Sequence, residues 1–327
     1  MRPSWPPAVR PGDRVGVAAL SGAVDADALA RGLAALRELG YEPVPARNLG
    51  SRSGIFAGDD AERVEAFHEL VDDDSLAAVF FARGGYGLHR VLPRLDWDLI
   101  GRRPRAWLGY SDVTPFLLQV VERLGLVTFH APMVATDIAR GLDAAETASL
   151  RAALGAEGPL VYPVRWLRAG AAEGVVLGGC LSLLAAVLGT PWATRFDDTL
   201  LFLEDVNEPL YRVDRMLTHL RLSGSLTGVR GMIFGYFGAD WEQAIGEIPS
   251  EDGDLVTAGA FTVPGAFTTP DAVTAPDGRW HRETLLALPG PVAWGAPCGH
   301  GLPNLTLPMG ARGRLDPEAD LLEISVI

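Results

Sequence analysis

The sequence predicts an α/β fold, with an N-terminal α/β domain built on a mostly parallel sheet and a smaller, β-rich C-terminal domain. Three observations support this prediction. Apolar strand-like runs alternate with amphipathic helical segments over roughly the first 130 residues, which is typical of βαβ units. The alternation is lost at 156–172, and 327 residues are enough for two cores. We therefore expect an N-terminal domain at 1–155, a linker at 156–172 and a C-terminal domain at 173–327.

The elements of the N-terminal domain follow one another in regular order. The run at 14–20 predicts a strand, and the helix predicted at 25–39 repeats leucine every three or four residues until Gly40 ends it. Further strands are predicted at 41–45, 76–82, 107–109 and 126–129, and further helices at 59–71 and 113–124. Helical connections of this kind are what join parallel strands.

The C-terminal domain gives fewer clear signals. Strands are predicted from 173 to the glycines at 178 and 179, at 200–203, at 231–237 and within 312–326, and helices at 181–188 and 209–222. The stretch 240–291 is rich in Gly, Pro, Thr and Asp, and it receives no assignment.

Charge and hydropathy exclude several kinds of partner. A net charge of −13 argues against nucleic acid, because phosphate binding needs clustered cations. No apolar run approaches the roughly 18 residues that span a bilayer, and the N-terminal residues show no secretion signal. We therefore expect a cytoplasmic protein with neither a nucleic-acid nor a membrane partner.

The chain contains no lysine, so all 28 of its Lys and Arg residues are arginine. A Ser–Lys dyad, a Schiff base and a phosphate-loop lysine are therefore excluded. Cys180 and Cys298 are too few for a disulfide framework or a zinc ligand set, and we expect both to be small buried apolar residues. No His-x-x-x-His or Cys-x-x-Cys spacing occurs, so we predict no metal.

Ser111 stands between a short apolar strand and a helix, in the segment Leu-Gly-Tyr-Ser-Asp-Val-Thr. A serine on such a turn projects its hydroxyl from the edge of a sheet, as the nucleophiles of hydrolases do. The alternative is a helix N-cap, although Asp112 is the better cap and leaves the serine free. The second glycine of the Gly-x-Ser-x-Gly elbow is absent, so spacing alone leaves both interpretations open.

A serine nucleophile needs a base and an acid that orients the base, and both occur downstream. His300 lies between Gly299 and Gly301, on a loop that can bring an imidazole close to another residue. Glu204 ends an apolar strand, so it is expected to be nearly buried, as an orienting carboxylate must be. Its neighbour Asp205 is interpreted as a helix cap or a surface charge.

The segment Arg-Gly-Gly-Tyr-Gly at 83–87 follows a predicted buried strand. Its glycines would let a backbone N–H approach a substrate oxygen and supply an oxyanion donor, or the segment is only a tight turn. Arg83 can hold a carboxylate with two hydrogen bonds, or it is a surface charge. Among the other histidines, His130 ends a strand where it could line a cleft, and His281 lies in the unassigned stretch.

Long motifs run in order nearly from end to end of the chain. They are RPGDRVGV at 10–17, FFARGGYG at 80–87, LGYSDVT at 108–114, GLVTFHAPM at 125–133, LFLEDVNE at 201–208 and GHGLPNLTLPMG at 299–310. On these motifs the chain resembles the LD-carboxypeptidase family, serine peptidases that include the murein tetrapeptide carboxypeptidases and the microcin C immunity peptidases.

The resemblance implies a role for each matching residue. Ser111 would be the nucleophile, His300 the base and Glu204 the acid that orients it. The backbone N–H groups of Gly85 and Asp112 would form the oxyanion hole. It also implies a site between the two domains, a homodimer, and no need for a metal or cofactor.

The chain departs from the family pattern in two places. Cys180 stands where an asparagine is expected after two glycines, and 240–291 lacks the usual helix-bearing segment. We expect these departures to affect substrate preference rather than the triad.

The activity implied by the resemblance is that of a cytoplasmic carboxypeptidase acting on a small peptide. It would release a terminal D-alanine from murein tetrapeptide in peptidoglycan recycling, and Arg83 is expected to bind the terminal carboxylate. One alternative is an immunity-type peptidase that cleaves peptidyl or aminoacyl nucleotides. Another is a non-catalytic α/β ligand-binding protein on the same scaffold.

Overall fold

Two β-sheets, one of six strands and one of eight, form the framework of this computed structural model. The structure describes residues 3–238, 241, 284, 285 and 287–326. His281 and most of the unassigned stretch 240–291 lie outside these residues. Within the described ranges, every helix is too short or too polar to cross a bilayer.

The first sheet is built mainly from parallel strands of the N-terminal half. These are β1 (Arg14–Ala18), β2 (Glu42–Pro45), β3 (Leu76–Phe81), β4 (Ala106–Gly109) and β5 (Thr128–His130). They lie in the order β5–β4–β3–β1–β2. β3 and β4 are almost wholly buried, which explains their unbroken apolar sequences.

Helices connect these strands and follow the last of them. They are α1 (Ala26–Glu38), α2 (Asp60–Val71), α3 (Leu88–Val91), α4 (Trp97–Gly101), α5 (Thr114–Leu124) and α6 (Ala144–Gly155). Short 3-10 turns occur at Arg47–Gly50, Leu92–Arg94 and Ser111–Val113, and a π-helical turn at Val134–Ile138. The carboxylates of Asp25 and Asp59 accept backbone N–H bonds at the starts of α1 and α2, so the sequence itself marks where these helices begin.

The rest of the described chain supplies the eight strands of the second sheet and the sixth strand of the first. Its strands are β6 (Leu160–Pro163), β7 (Arg165–Arg168), β8 (Ala172–Cys180), β9 (Thr199–Glu204), β10 (Val229–Phe234), β11 (Val292–Trp294), β12 (Leu307–Met309), β13 (Arg312–Asp316) and β14 (Leu321–Ile324). All but β12 lie in the order β6–β14–β13–β8–β9–β10–β11–β7, with β8 to β11 parallel at the centre. The helices α7 (Leu181–Ala186) and α8 (Leu210–Leu222) follow β8 and β9.

The predicted α/β fold class is confirmed, and most predicted elements lie within a few residues of their expected bounds. The expectation of a linker at 156–172 is corrected by the structure, because this segment contains β6 and β7. These four-residue strands form the two ends of the second sheet, and β7 is only partly buried. Short edge strands need no continuous apolar run, so the sequence gives little sign of them.

The strand β12 returns from the C-terminal half to the first sheet, which was also not predicted. It pairs antiparallel with β5, so that Leu307 lies opposite His130. The chain that follows His300 is thereby attached to the sheet that carries Ser111.

An aromatic cluster fixes the helices that flank the predicted nucleophile. Phe67 of α2 and Phe116 of α5 pack edge to face, with ring centroids 5.7 Å apart. Phe81 and Trp107 contact Phe116 from β3 and β4, at 5.3 and 5.1 Å. All four side chains are buried, and each large apolar side chain buried in this way contributes roughly 1.5–3 kcal/mol. The cluster therefore holds α5, and the turn that leads into it, against the sheet.

The two sheets meet at the carboxyl ends of their parallel strands. The Cys180 N–H, at the end of β8, donates to Thr114 Oγ1 at 3.3 Å. The ring of His130, at the end of β5, lies 5.2 Å from that of Phe202 in β9. Ligands of open α/β sheets bind at this edge, and the loops that leave it carry the predicted site residues.

Candidate active site

Ser111 lies on a strained turn at the end of β4. Its φ is 62°, in the left-handed region that residues other than glycine rarely adopt. The residue begins the 3-10 turn Ser111–Val113, which leads directly into α5. Strain of this kind persists only where the surrounding structure enforces it, and it concentrates at functional sites.

The glycine-rich loop packs against this serine. A Cβ atom on Gly84 would lie 2.8 Å from Ser111 Cβ, 2.9 Å from Ser111 Oγ and 3.2 Å from the backbone nitrogen of Asp112. No side chain fits there, so the close approach requires glycine. Gly85 is exposed at a φ of 98°, and within the described residues its N–H has no hydrogen-bond partner.

His300 and Glu204 form the predicted acid–base pair. His300 Nδ1 lies 2.6 Å from Glu204 Oε2, and the His300 backbone N–H donates to the same oxygen at 3.2 Å. The Glu204 side chain is fully buried, whereas that of His300 is 15% exposed. Among the described residues Nε2 has no hydrogen-bond partner, which leaves this nitrogen to exchange a proton with a nucleophile.

The pair sets the charge of both its members. Burial opposes ionisation of Glu204, but the charge and the hydrogen bond of His300 outweigh it, so the pKa of Glu204 is lowered. Burial also disfavours the imidazolium, yet the neighbouring carboxylate outweighs it and raises the pKa of His300. Glu204 thus stabilises the imidazolium that a general base must become.

Glycine and asparagine hold the His300 loop. A Cβ on Gly299, whose φ is 107°, would lie 2.6 Å from Glu204 Oε2, so a side chain would prevent the acid–base contact. The Gly299 N–H donates to Asn304 Oδ1 at 2.9 Å. The Asn304 N–H in turn donates to Oε1 of Glu146, the buried capping-box residue of α6, also at 2.9 Å. The loop is therefore attached to the N-terminal half.

The structure brings the serine turn and the histidine loop together. The rings of Tyr110 and His300 pack edge to face, with centroids 4.8 Å apart. Since Tyr110 directly precedes Ser111, the turn that carries the serine lies beside the imidazole. The two loops come from opposite halves of the sequence and lie side by side between the two sheets, and no hydrogen bond joins Ser111 to His300 among the described residues.

Arg83 lies beside the predicted oxyanion loop. Its Nη1 donates to the carbonyl of Ala23 at 3.0 Å, and Nη2 would lie 3.7 Å from a Cβ on Gly85. Its Nε is buried without a hydrogen-bond partner in the described chain. The guanidinium is thus held next to Gly85 and keeps donor capacity for an anion.

Asp205 caps a helix, which is one of the two roles expected for it. Its Oδ2 accepts the N–H of Ser182, in the first turn of α7, at 2.7 Å. Its Oδ1 accepts the N–H of Val206 at 2.9 Å. The residue is only 2% exposed, so the other expectation, a surface charge, is wrong.

Two residues near His300, Tyr110 and Asp137, were not assigned a role by the sequence, and they lie beside His130, which was expected to line a cleft. Tyr110 Oη donates to Asp137 Oδ1 at 3.4 Å, and its ring lies 5.4 Å from that of His130. Complete burial lowers the pKa of His130 to about 4, so this histidine is neutral. His130 ends β5 and Tyr110 follows β4. The carboxyl ends of neighbouring parallel strands lie side by side, so these positions in the sequence could have indicated that the two residues lie close together.

Cys180 occupies the position where the family pattern has asparagine. It ends β8 directly opposite Glu204 in the parallel register, and its Sγ lies 3.5 Å from Asp205 Oδ1. Burial raises the pKa of the thiol well above its usual value. Cys180 is therefore a small, protonated core residue beside the acid of the pair, and the expectation of burial is confirmed for it and for Cys298.

We expect Ser111→Gly to be more stable than Ser111→Ala by about 1 kcal/mol, because only glycine relieves the left-handed strain. Urea unfolding of the two variants measures the difference. The matched control is Ser223, whose φ of −71° suits any residue. There the alanine variant should be at least as stable as the glycine variant, and the same order at both positions would contradict the strain argument.

Both halves of the chain match family models. The model described as the LD-carboxypeptidase N-terminal domain matches residues 15–131, and the one described as the LD-carboxypeptidase C-terminal domain matches residues 173–315. A probable murein peptide carboxypeptidase of Bacillus subtilis strain 168 is 39% identical over 235 residues, which cover 70% of this chain and 73% of that protein.

Solved structures share the fold over nearly the whole chain. A muramoyltetrapeptide carboxypeptidase from Oxalobacter formigenes is 27% identical with a TM-score of 0.75, and the match covers 95% of this chain and 97% of that one. The microcin C7 self-immunity protein MccF, in complex with aspartyl sulfamoyl adenosine, has a TM-score of 0.79 over 99% of this chain and 98% of its own. At 21% identity, the second likeness is one of fold alone.

Proposed function

The chain belongs to the LD-carboxypeptidase family, and from this premise we propose that it is a serine peptidase with the triad Ser111, His300 and Glu204. One observation carries the proposal. The 2.6 Å contact between His300 Nδ1 and Glu204 Oε2 leaves Nε2 without a partner among the described residues, on a ring that packs against Tyr110, the residue before the strained Ser111. These are the three parts of an activated serine nucleophile: the serine itself, an imidazole that accepts its proton, and a buried carboxylate that orients the imidazole.

The proposed reaction proceeds through an acyl-enzyme. Ser111 Oγ attacks the scissile carbonyl carbon while His300 Nε2 accepts the serine proton. Glu204 stabilises the resulting imidazolium and keeps the ring in the orientation seen in the structure. His300 then gives the proton to the leaving amine, and water repeats the two steps to release the acyl group.

We assign the oxyanion hole to two backbone N–H groups. The Gly85 N–H, which has no partner among the described residues, is one, and the Asp112 N–H, next in sequence to the nucleophile, is the other. Asp112 lies in the first turn of a helix, where backbone N–H groups have no partner within the helix. The close packing of Gly84 against Ser111 and the Asp112 nitrogen supports this assignment, because Gly85 is the next residue of the same loop.

As substrate we propose murein tetrapeptide, cleaved between the L-centre of its diaminopimelate and the terminal D-alanine. The printed names of the relatives from Bacillus subtilis and Oxalobacter formigenes support a murein peptide. Such a reaction belongs to peptidoglycan recycling, and we propose that it takes place in the cytoplasm with the enzyme as a homodimer. Sedimentation of the purified protein tests the oligomeric state.

Arg83 is proposed to bind the terminal carboxylate of the peptide, because its guanidinium lies beside the Gly85 donor. We expect Arg83→Gln to lower kcat/KM for the tetrapeptide about tenfold to a hundredfold, chiefly through KM, as a lost charge-assisted hydrogen bond would. A tetrapeptide with an amidated C-terminus provides the internal control, since the variant should barely change its hydrolysis. Arg221→Gln, at an exposed position of α8, should alter neither substrate. Equal losses on acid and amide would refute the assignment.

The alternative function is hydrolysis of a peptidyl or aminoacyl nucleotide, which the fold of MccF favours. Incubation with murein tetrapeptide and, separately, with a peptidyl adenylate distinguishes the two, with mass spectrometry of the products. Release of D-alanine from the tetrapeptide at the higher kcat/KM is the expected result. Faster cleavage of the adenylate would favour the immunity-type activity, and cleavage of neither would favour a ligand-binding protein.

A further inference from the structure

The side chain of Asp112 makes a contact that the proposed reaction does not use. Its Oδ2 accepts the backbone N–H of Leu88 at 2.9 Å, and both residues are almost completely buried. Leu88 begins α3 directly after the glycine-rich loop, and Gly87, the residue before the helix, offers no side chain as a cap. The Asp112 carboxylate therefore caps α3 from a position 24 residues along the chain.

The loop between 84 and 88 is held at three points. The carbonyl of Gly84 accepts the N–H of Gly22 at 3.1 Å. The carbonyl of Gly87 accepts a bond from Nη1 of the buried Arg63 at 2.9 Å. Asp112 holds the third point, and Gly85 and Tyr86, between the anchors, remain exposed.

Asp112 is thus connected to both proposed oxyanion donors. Its backbone N–H is one of them, and its carboxylate anchors the loop that carries the other, the Gly85 N–H. Arg63 and Gly22 attach the loop to other parts of the domain. Among the hydrogen bonds of the described residues, only the bond to Asp112 attaches the loop to the residue beside the nucleophile. Oxyanion donors stabilise the transition state only when they are held at fixed distances from the developing charge, so a loss of this bond is expected to lower kcat.

We propose that the Asp112 carboxylate is a positioning group that sets the separation of the two oxyanion donors by tying the Gly85 loop to the nucleophile turn. This inference rests on the proposed serine mechanism. It concerns a side chain that acts through backbone groups and does not itself touch the substrate. A carboxylate that only stabilised the fold would influence the amount of folded enzyme, not the turnover of the folded molecules.

The test compares Asp112→Ala with Asp112→Asn in the full chain. Asparagine keeps an acceptor oxygen for the Leu88 N–H, and alanine removes it. We expect Asp112→Ala to lower kcat on murein tetrapeptide about tenfold to a hundredfold at nearly constant KM, somewhat less than the loss of a whole donor. Asp112→Asn should recover most of that loss. Affinity for a peptidyl boronic acid, which forms a tetrahedral adduct on serine, should fall in proportion to kcat.

The controls separate positioning from folding. Asp96→Ala removes a helix cap on the surface, which accepts the N–H groups of Asp98 and Leu99 at the start of α4, and it should lower the melting temperature without changing kcat. If Asp112→Ala does not fold, Asp112→Ser, whose shorter side chain does not reach Leu88, should show the same loss of kcat.

Three results would overturn the inference. They are wild-type kcat and boronate affinity in folded Asp112→Ala, equal losses in the alanine and asparagine variants, and a change in KM alone. Ser111→Ala, measured in parallel, separates this from a failure of the proposed function. An active Ser111→Ala would refute the serine mechanism itself, whereas an inactive Ser111→Ala beside a fully active Asp112→Ala would refute only the positioning role.

Discussion

Replacement of Ser111 by alanine is expected to lower kcat for peptide hydrolysis by about a millionfold. The variant keeps the Glu204–His300 pair and the backbone donors but lacks the oxygen that would form the acyl-enzyme. His300→Ala should cost about as much, and the double variant should cost little more, because members of a triad act as one unit. Steady-state release of D-alanine from murein tetrapeptide measures all three.

The serine variant should otherwise resemble the wild type. Its circular dichroism spectrum and its affinity for the tetrapeptide should be unchanged, because the hydroxyl bonds to no other described residue. Ser53→Ala, at an exposed loop serine, is the matched control and should retain full turnover. Near wild-type turnover in folded Ser111→Ala would contradict the nucleophile assignment, and additive losses in the double variant would contradict a coupled pair.

The features of the site that the sequence predicts are those with local causes. The apolar strand, the turn and the apolar helix around Ser111 are contiguous, so their order already describes the turn that the structure contains. Gly84 and Gly85 likewise mark a loop whose close approach to Ser111 forbids side chains. Glu204 ends a buried strand, and the burial of its carboxylate follows from that position.

What the sequence does not predict depends on contacts between distant segments. The bond from Leu88 to the Asp112 carboxylate joins two turns whose relative position exists only in the folded sheet. The strand β12 is three residues long and pairs with β5, which lies far away in the sequence. Neither a short strand nor a cap across 24 residues leaves a periodic pattern in the sequence.

Replacement of Glu204 by glutamine is expected to lower kcat about ten-thousandfold, because the amide cannot stabilise the imidazolium that forms on His300. The pH profile provides a second measure. His300 must be neutral to accept a proton, and Glu204 raises its pKa, so the acid limb of kcat/KM in the wild type should lie above the ordinary histidine value of 6.5. Without the carboxylate, burial lowers the pKa of His300, and the limb of the residual activity should move to lower pH.

Asp205 supplies the matched control for Glu204, since it is adjacent, acidic and equally buried but caps α7 instead of contacting the imidazole. Asp205→Ala should lose about 1 kcal/mol of stability, as a lost cap does, and should leave kcat close to wild type. The charge of Asp205 also raises the pKa of His300, but less than Glu204 does, so the acid limb should move to lower pH by a smaller amount than in Glu204→Gln. A larger shift of the limb in Glu204→Gln than in Asp205→Ala would assign the main electrostatic role to Glu204. The reverse result, an inactive Asp205→Ala and an active Glu204→Ala, would assign the orienting role to Asp205 instead.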